Sequence, residues 1–228
     1  MLKKFRRHFK NAKRGLRERR KIIDEAKAIG ARAAAHTGPK IFIDCGFNQA
    51  KVMEIFARHL PDFTFYGFEA NNNFKQQAEN LKRRRKNVLD LNFAAVSTRD
   101  GETSFFLAGA ESGTHIQEGS TMVVGKDSHQ TDFTKPTLVK TVDFSNWIKQ
   151  LTGANQNAFV ALKMDIEGAE YDVLEDMFAR DAIAEVDYMM IEFHSYCFTG
   201  DQKTAYQARE DALLDRLKKC PLTLSRWI

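Results

Sequence analysis

The apolar run Phe159-Val160-Ala161-Leu162 passes through Lys163 and Met164 straight into Asp165-Ile166-Glu167-Gly168. A segment this uniformly apolar reads as a strand buried on both faces, as strands of parallel sheets are. Ala169, Val173, Leu174, Met177 and Phe178 then fall on one face of a following helix. Strand, acidic turn and helix in that order predict an open α/β sheet, with Asp165 and Glu167 at its carboxyl edge. Such sheets bind their ligands there. A simpler reading is also open, in which Glu167 and Glu170 only complement the positive end of the helix.

A second strand, turn and helix lies upstream. Ile41-Phe42-Ile43-Asp44 is an apolar strand ending in an acid, Cys45-Gly46-Phe47-Asn48-Gln49-Ala50 is a short turn, and Val52, Met53, Phe56 and Leu60 form a helix face. Gly46 lets the backbone approach a ligand, but the G-x-G-x-x-G spacing that cradles a pyrophosphate is missing. The next strand, Phe63 to Phe68, ends in Glu69, at the distance where nucleotide-binding sheets place the acid that accepts from ribose hydroxyls. Acids at three strand ends without a pyrophosphate cradle point to an adenosine nucleoside rather than a dinucleotide.

These residues resemble the S-adenosylmethionine-dependent methyltransferases and, more narrowly, the FkbM-type family. The narrower likeness lies in Ile43-Asp44-Cys45-Gly46-Phe47-Asn48, Gly67-Phe68-Glu69-Ala70, Asn92 to Ser97 with Asp100-Gly101, and Lys163 to Tyr171. It spans roughly residues 40 to 195. Family members commonly carry a second glycine after the asparagine, where this chain has Gln49-Ala50. The resemblance implies a Rossmann-like class I methyltransferase fold, a mostly parallel central sheet with helices on both faces. It implies S-adenosylmethionine held by Asp44, Gly46, Asn48, Glu69, Ala95 and Asp165. The acceptor would be a small molecule or glycan, methylated on a hydroxyl of a sugar, glycan or secondary metabolite.

The charge is divided unevenly. Residues 1–40 carry 14 Lys or Arg against three acids, a net +11, so the overall +5 leaves the other 188 residues at −6. Leu2, Phe5, Phe9, Ala12, Leu16, Ile23 and Ala26 recur at three- and four-residue steps, broken at Arg19. Residues 1–38 thus read as a basic amphipathic N-terminal helical arm, closed by Gly38-Pro39, and residues 39–228 as the methyltransferase domain. The arm has three readings: contact with an anionic membrane surface or polyanion, packing on its own domain, or pairing with a second copy in a homo-oligomer. No segment is long and apolar enough to span a bilayer, and Met1 to Lys10 lacks a secretory apolar run. A cytoplasmic location, with peripheral membrane contact through the arm, is expected. Cys45, Cys197 and Cys220 show neither disulfide nor zinc spacing.

The remaining chain alternates strand and helix. Asn72 to Arg84 reads as a helix and Val88 to Val96 as the third strand, whose end places Ala94 and Ala95 beside the adenine of the resembled fold. Glu102 to Leu107 is expected to pair with that strand as a hairpin about Asp100-Gly101, followed by a long loop over residues 108–134. Thr137 to Val142 leads into a helix from Phe144. Ala184 to Phe193 is the fifth core strand, ending in Glu192-Phe193-His194, and Thr204 to Lys219 is the last helix. Pro221 to Ile228 leaves room for one terminal strand where a full methyltransferase sheet has an antiparallel pair.

Methyl transfer to an alcohol needs the acceptor oxygen beside the methyl group and a group that removes its proton. His194, Asp165 and Glu167 are the catalytic candidates, and Asp165 with Glu167 alternatively offers oxygen ligands to a divalent cation. His115 and His129 are further candidates for substrate contact. Two other functions stay open: a non-catalytic methyltransferase-like module tethered to membrane or polyanion, and an RNA methyltransferase guided by the arm. No aromatic-basic recognition module is visible, which speaks against nucleic acid.

Overall fold

The computed structural model describes residues 2–109, 117, 119–126 and 131–227, with residues 2–14 described by backbone alone. His115 and His129 lie outside the described residues. In chain order the elements are α1 (Leu2–Arg32), β1 (Lys40–Cys45), α2 (Lys51–His59), β2 (Thr64–Phe68), α3 (Lys75–Arg84) and β3 (Val88–Asn92), then β4 (Ala95–Ser97), β5 (Gly101–Phe105) and β6 (Thr137–Asp143). They continue as α4 (Phe144–Ala154), β7 (Phe159–Met164), α5 (Glu170–Ala179), β8 (Tyr188–Ile191), α6 (Gly200–Leu217) and β9 (Thr223–Arg226).

The central sheet runs β3-β2-β1-β7-β8-β9, every pairing parallel. From β1 the chain winds outward to β2 and β3; from β7 it winds the other way to β8 and β9. β1 and β7 are therefore the switch point, where neighbouring connections leave to opposite faces and open a crevice at the carboxyl ends. Alternation sorts the side chains into two cores. Ile41, Ile43, Cys45, Val160, Leu162 and Met164 pack with buried residues of α4, α5 and α6. Phe42, Ala161 and Phe159 pack with those of α1 and α2. Asp44 and Lys163 continue the second set by register, paired across β1 and β7.

The carboxyl-terminal half of α1 belongs to that second core. Ile22, Ala26, Ile29 and Ala33 are buried there, and Tyr188 donates to Glu25 Oε1 at 2.8 Å. Full burial of an aliphatic side chain such as Ile29 contributes about 1.5–3 kcal/mol, enough for a few residues to anchor a helix. The buried stripe is thus displaced from the expected one: Ile22 is inside, Ile23 only half-buried, and Leu16 is 69% exposed. The α-helix itself ends at Arg32, before Gly38-Pro39.

Three strand assignments change. The predicted Val88 to Val96 strand breaks after Asn92, because β2 ends at Phe68 and offers no partner beyond that register. Ala95–Ser97 joins a separate three-stranded sheet, β4-β6-β5. The expected hairpin about Asp100-Gly101 does not form: β6 lies between the two strands, parallel to β4 and antiparallel to β5. Asp100 instead accepts from the Asp143 backbone N–H at 2.9 Å, which stitches the turn to the end of β6. The fifth strand is confined to Tyr188–Ile191, with a 3₁₀ turn over Ala182–Glu185 in front of it. At the other edge the single terminal strand, β9, runs parallel to β8.

Candidate active site

The β1 and β7 turns are locked against each other. The Asp165 N–H donates to the Cys45 carbonyl at 3.0 Å, and Gly46 has φ +85°. A Cβ at Gly46 would lie 1.9 Å from the Asp165 carbonyl oxygen, so only glycine lets these turns meet. Its close neighbour is the protein backbone. Beneath them Lys163 Nζ reaches Asp44 Oδ1 at 3.1 Å and Asp165 Oδ2 at 3.4 Å. Burial lowers the Lys163 pKa, but Asp44 and Asp165 outweigh it and hold the ammonium above its ordinary value. Burial likewise raises Asp44, against the pull of Lys163.

Asn48 and Ala50 both adopt left-handed backbone, φ 50° and 60°. Ala50 thus holds a conformation that glycine would take without cost. Asn48 donates its backbone N–H to Glu69 Oε2 at 2.8 Å, while Glu69 Oε1 accepts from the Asn71 N–H at 2.7 Å. Burial pushes the Glu69 carboxyl up to about 7, against the lowering effect of these two donors. Two buried acceptor atoms in the first turn, Asp44 Oδ2 and Asn48 Oδ1, have no hydrogen-bond partner among the described residues. Asp44 is wholly buried and lines neither cavity along this edge, so its expected contact with a cofactor is replaced by one with Lys163, whereas Asn48 lines both cavities.

Two cavities open along this edge. One is walled by Phe68, Glu69, Ala70, Ala94, Ala95 and Phe105 on one side. The break after Asn92 carries Ala94 and Ala95 into that wall. The other lies between α1 and the strand ends, with Glu18, Arg19 and Ile22 opposite Glu192, His194 and Tyr196. Gly46, Asn48, Gly119, Asp165 and Glu167 line both, so the predicted acids form the border between them.

On the second cavity's side the predicted catalytic residues come together. His194 Nε2 lies 3.3 Å from Glu167 Oε2 and 3.8 Å from Asp165 Oδ1. Asp165, Glu167 and His194 can each present one ligand-capable atom within 4.8 Å of the others. Glu167 holds a left-handed φ of 57°, with its carbonyl accepting from Thr121 Oγ1 at 2.7 Å and its carboxylate paired with buried Lys126. Burial lowers the Lys126 pKa.

Several participants were not read from the sequence. Glu170 is fully buried and holds His194, although it was open to reading as a helix-dipole acid. Its position offered a signal, since 170 shares the buried face of α5 with Val173, Leu174 and Met177. Glu192 sits 4.0 Å from His194 Nε2 and accepts from Tyr196 at 3.0 Å; burial and then Asp165 raise its pKa. Lys126 lies in the long loop, where no periodicity points inward. Cys45 is buried, Cys197 and Cys220 half-buried, and all three are free thiols.

No curated protein and no solved structure matches the chain. The model of the family described as the methyltransferase FkbM domain matches residues 44–220, taking in every predicted site residue from Asp44 to His194. With the switch-point crevice and its paired turns inside that span, the chain belongs to the FkbM methyltransferase family.

Proposed function

We propose that this methyltransferase uses S-adenosylmethionine and methylates a hydroxyl group of a sugar, glycan or secondary metabolite. The observation that carries the reading is the shared border: two cavities meet at Asp165 and Glu167, one beside an acid suited to ribose, the other beside an imidazole. The cofactor supplies an electrophilic methyl carbon on a sulfonium; a new O–C bond forms as the C–S bond breaks, sulfur keeping the electron pair. Glu69 accepts from the ribose hydroxyls with the lone pairs its two backbone donors leave free. Asn48 and Gly46 line the same cavity, Asp44 supports that turn from beneath through Lys163, and Ala95 closes the base pocket. Asp165, Glu167 and His194 position the acceptor hydroxyl, and their cluster draws off its proton.

The exposed cations at Arg17, Arg19, Arg20 and Lys21 support a second, accessory proposal, peripheral contact of α1 with an anionic membrane or polyanion. Charge reversal at these four positions should abolish cosedimentation with anionic vesicles; unchanged binding would remove the proposal.

The acceptor class is tested by incubating the full chain with methyl-labelled cofactor and glycans, nucleotide sugars, lipids and RNA. Label on a hydroxyl of the first two supports the reading, and label on RNA alone replaces it. No transfer and no cofactor binding would leave a non-catalytic module.

A further inference from the structure

The convergence of Asp165, Glu167 and His194 has an electrostatic oddity. Glu170 Oε1 lies 3.1 Å from His194 Nδ1 and also accepts the His194 backbone N–H at 2.9 Å. A carboxylate in that position takes the Nδ1 proton and leaves a lone pair on Nε2. Nε2 makes no hydrogen bond to any described residue; it faces the carboxylate oxygens of Glu167 and Asp165. Three acceptor atoms therefore converge, one of them, Glu167 Oε2, already partnered by the Lys126 ammonium, around a ring whose side chain is only 3% exposed. The wider neighbourhood repeats the imbalance. Asp44, Asp165, Glu167, Glu170 and Glu192 bring five carboxylates to this edge, and Lys163 and Lys126 bring two ammonium groups.

Glu167 adds a backbone argument. Its left-handed conformation is unfavourable for a non-glycine residue, and such strain persists where a side chain is needed in place. Here that residue carries the carboxylate that meets both His194 and Lys126.

We propose that Asp165, Glu167 and His194 bind a first-row divalent transition metal ion, with Glu170 as the positioning residue that fixes the His194 tautomer. One imidazole nitrogen with two carboxylate oxygens suits Mn²⁺, Fe²⁺ or Zn²⁺; all-oxygen shells suit Mg²⁺ and Ca²⁺. A carboxylate behind a ligating histidine is the usual support for such a site. Only the ion's role, engaging the acceptor hydroxyl as a Lewis acid, rests on the methyl-transfer reading; its binding does not.

The test uses the full chain, freed of metal by chelation, titrated with MnCl₂ and followed by loss of the free-ion EPR signal. One Mn²⁺ per chain is expected without cofactor present. Asp165→Asn and His194→Gln should each weaken binding at least tenfold, and Glu170→Gln by about 10–100-fold, in proteins whose circular dichroism and melting match the parent. Absence of Mn²⁺ and Zn²⁺ binding in the parent, or binding unaltered in Asp165→Asn and His194→Gln, overturns the proposal. Cofactor binding measured on the same samples separates the two readings. A parent that binds S-adenosylhomocysteine but no metal loses only this inference, and one that binds metal but no cofactor loses only the methyl-transfer reading.

Discussion

Glu170 holds His194 through one oxygen twice, at the backbone N–H (2.9 Å) and at ring Nδ1 (3.1 Å), while its other oxygen accepts from the Gly168 N–H at 2.8 Å. One buried carboxylate thereby fixes the turn after β7 relative to the residue that follows β8. Because it grips both the backbone and the ring of His194, its effect on chemistry should exceed its effect on cofactor binding.

Glu170→Gln is expected to lower kcat by about 10–100-fold and His194→Ala by about 10²–10⁴-fold. Steady-state kinetics and calorimetry on the same variants check this, with affinity for S-adenosylhomocysteine little altered. An equal loss in kcat and cofactor affinity would place His194 on the cofactor side.

Lys163→Met strips a buried partner from Asp44. Leaving one charge of a buried pair uncompensated costs about 3–5 kcal/mol, which urea unfolding will measure. Adding Asp44→Asn should restore part of the loss, since the orphaned charge is then gone. A cost below about 1 kcal/mol, the range of surface pairs, would mean that the pair is hydrated.

Glu69 makes stability depend on pH. Its carboxyl is raised from 4.5 to about 7 by burial, so the folded chain binds this proton more tightly than the unfolded chain. The stabilising contribution is complete below pH 4.5 and is lost as pH rises through 7, a change of about 3 kcal/mol by linkage. Thermal unfolding of the cofactor-free protein from pH 4.5 to 8 should show this decline, and Glu69→Gln should flatten it. A variant that keeps the full slope would assign the decline to other groups.

Ile29→Ala is expected to cost about 2–5 kcal/mol, because Ile29 is wholly buried against the β1–α2 layer. Leu16→Ala, on the exposed stretch of the same helix, should stay within about 0.5 kcal/mol. Denaturant midpoints distinguish a docked half from an exposed half; equal, small effects would return the whole helix to the status of a free arm.

The parts of this fold legible in the sequence were those where periodicity and chemistry agree. The apolar run into Asp165 and the strand ending in Asp44 placed β7 and β1, and their acids met at the switch point. What failed was pairing that depends on distant chain: nothing local in Asn92 to Gly101 announces that β6 inserts between β4 and β5. The α1 stripe slipped by one residue because Ile22 and Ile23 are chemically alike and only the position of α2 chooses between them. At the site, Asp165, Glu167 and His194 were visible as strand-end residues. Lys126 was not, because a loop lysine becomes a buried partner only through the path of the loop.

The crevice is proposed to hold S-adenosylmethionine, and calorimetric titration with S-adenosylhomocysteine tests that most directly. The expected result is binding of one equivalent per chain, weakened at least tenfold in Glu69→Gln at pH 8, where Glu69 is ionised. Absence of binding to the folded parent, or an affinity indifferent to Glu69→Gln, would contradict it.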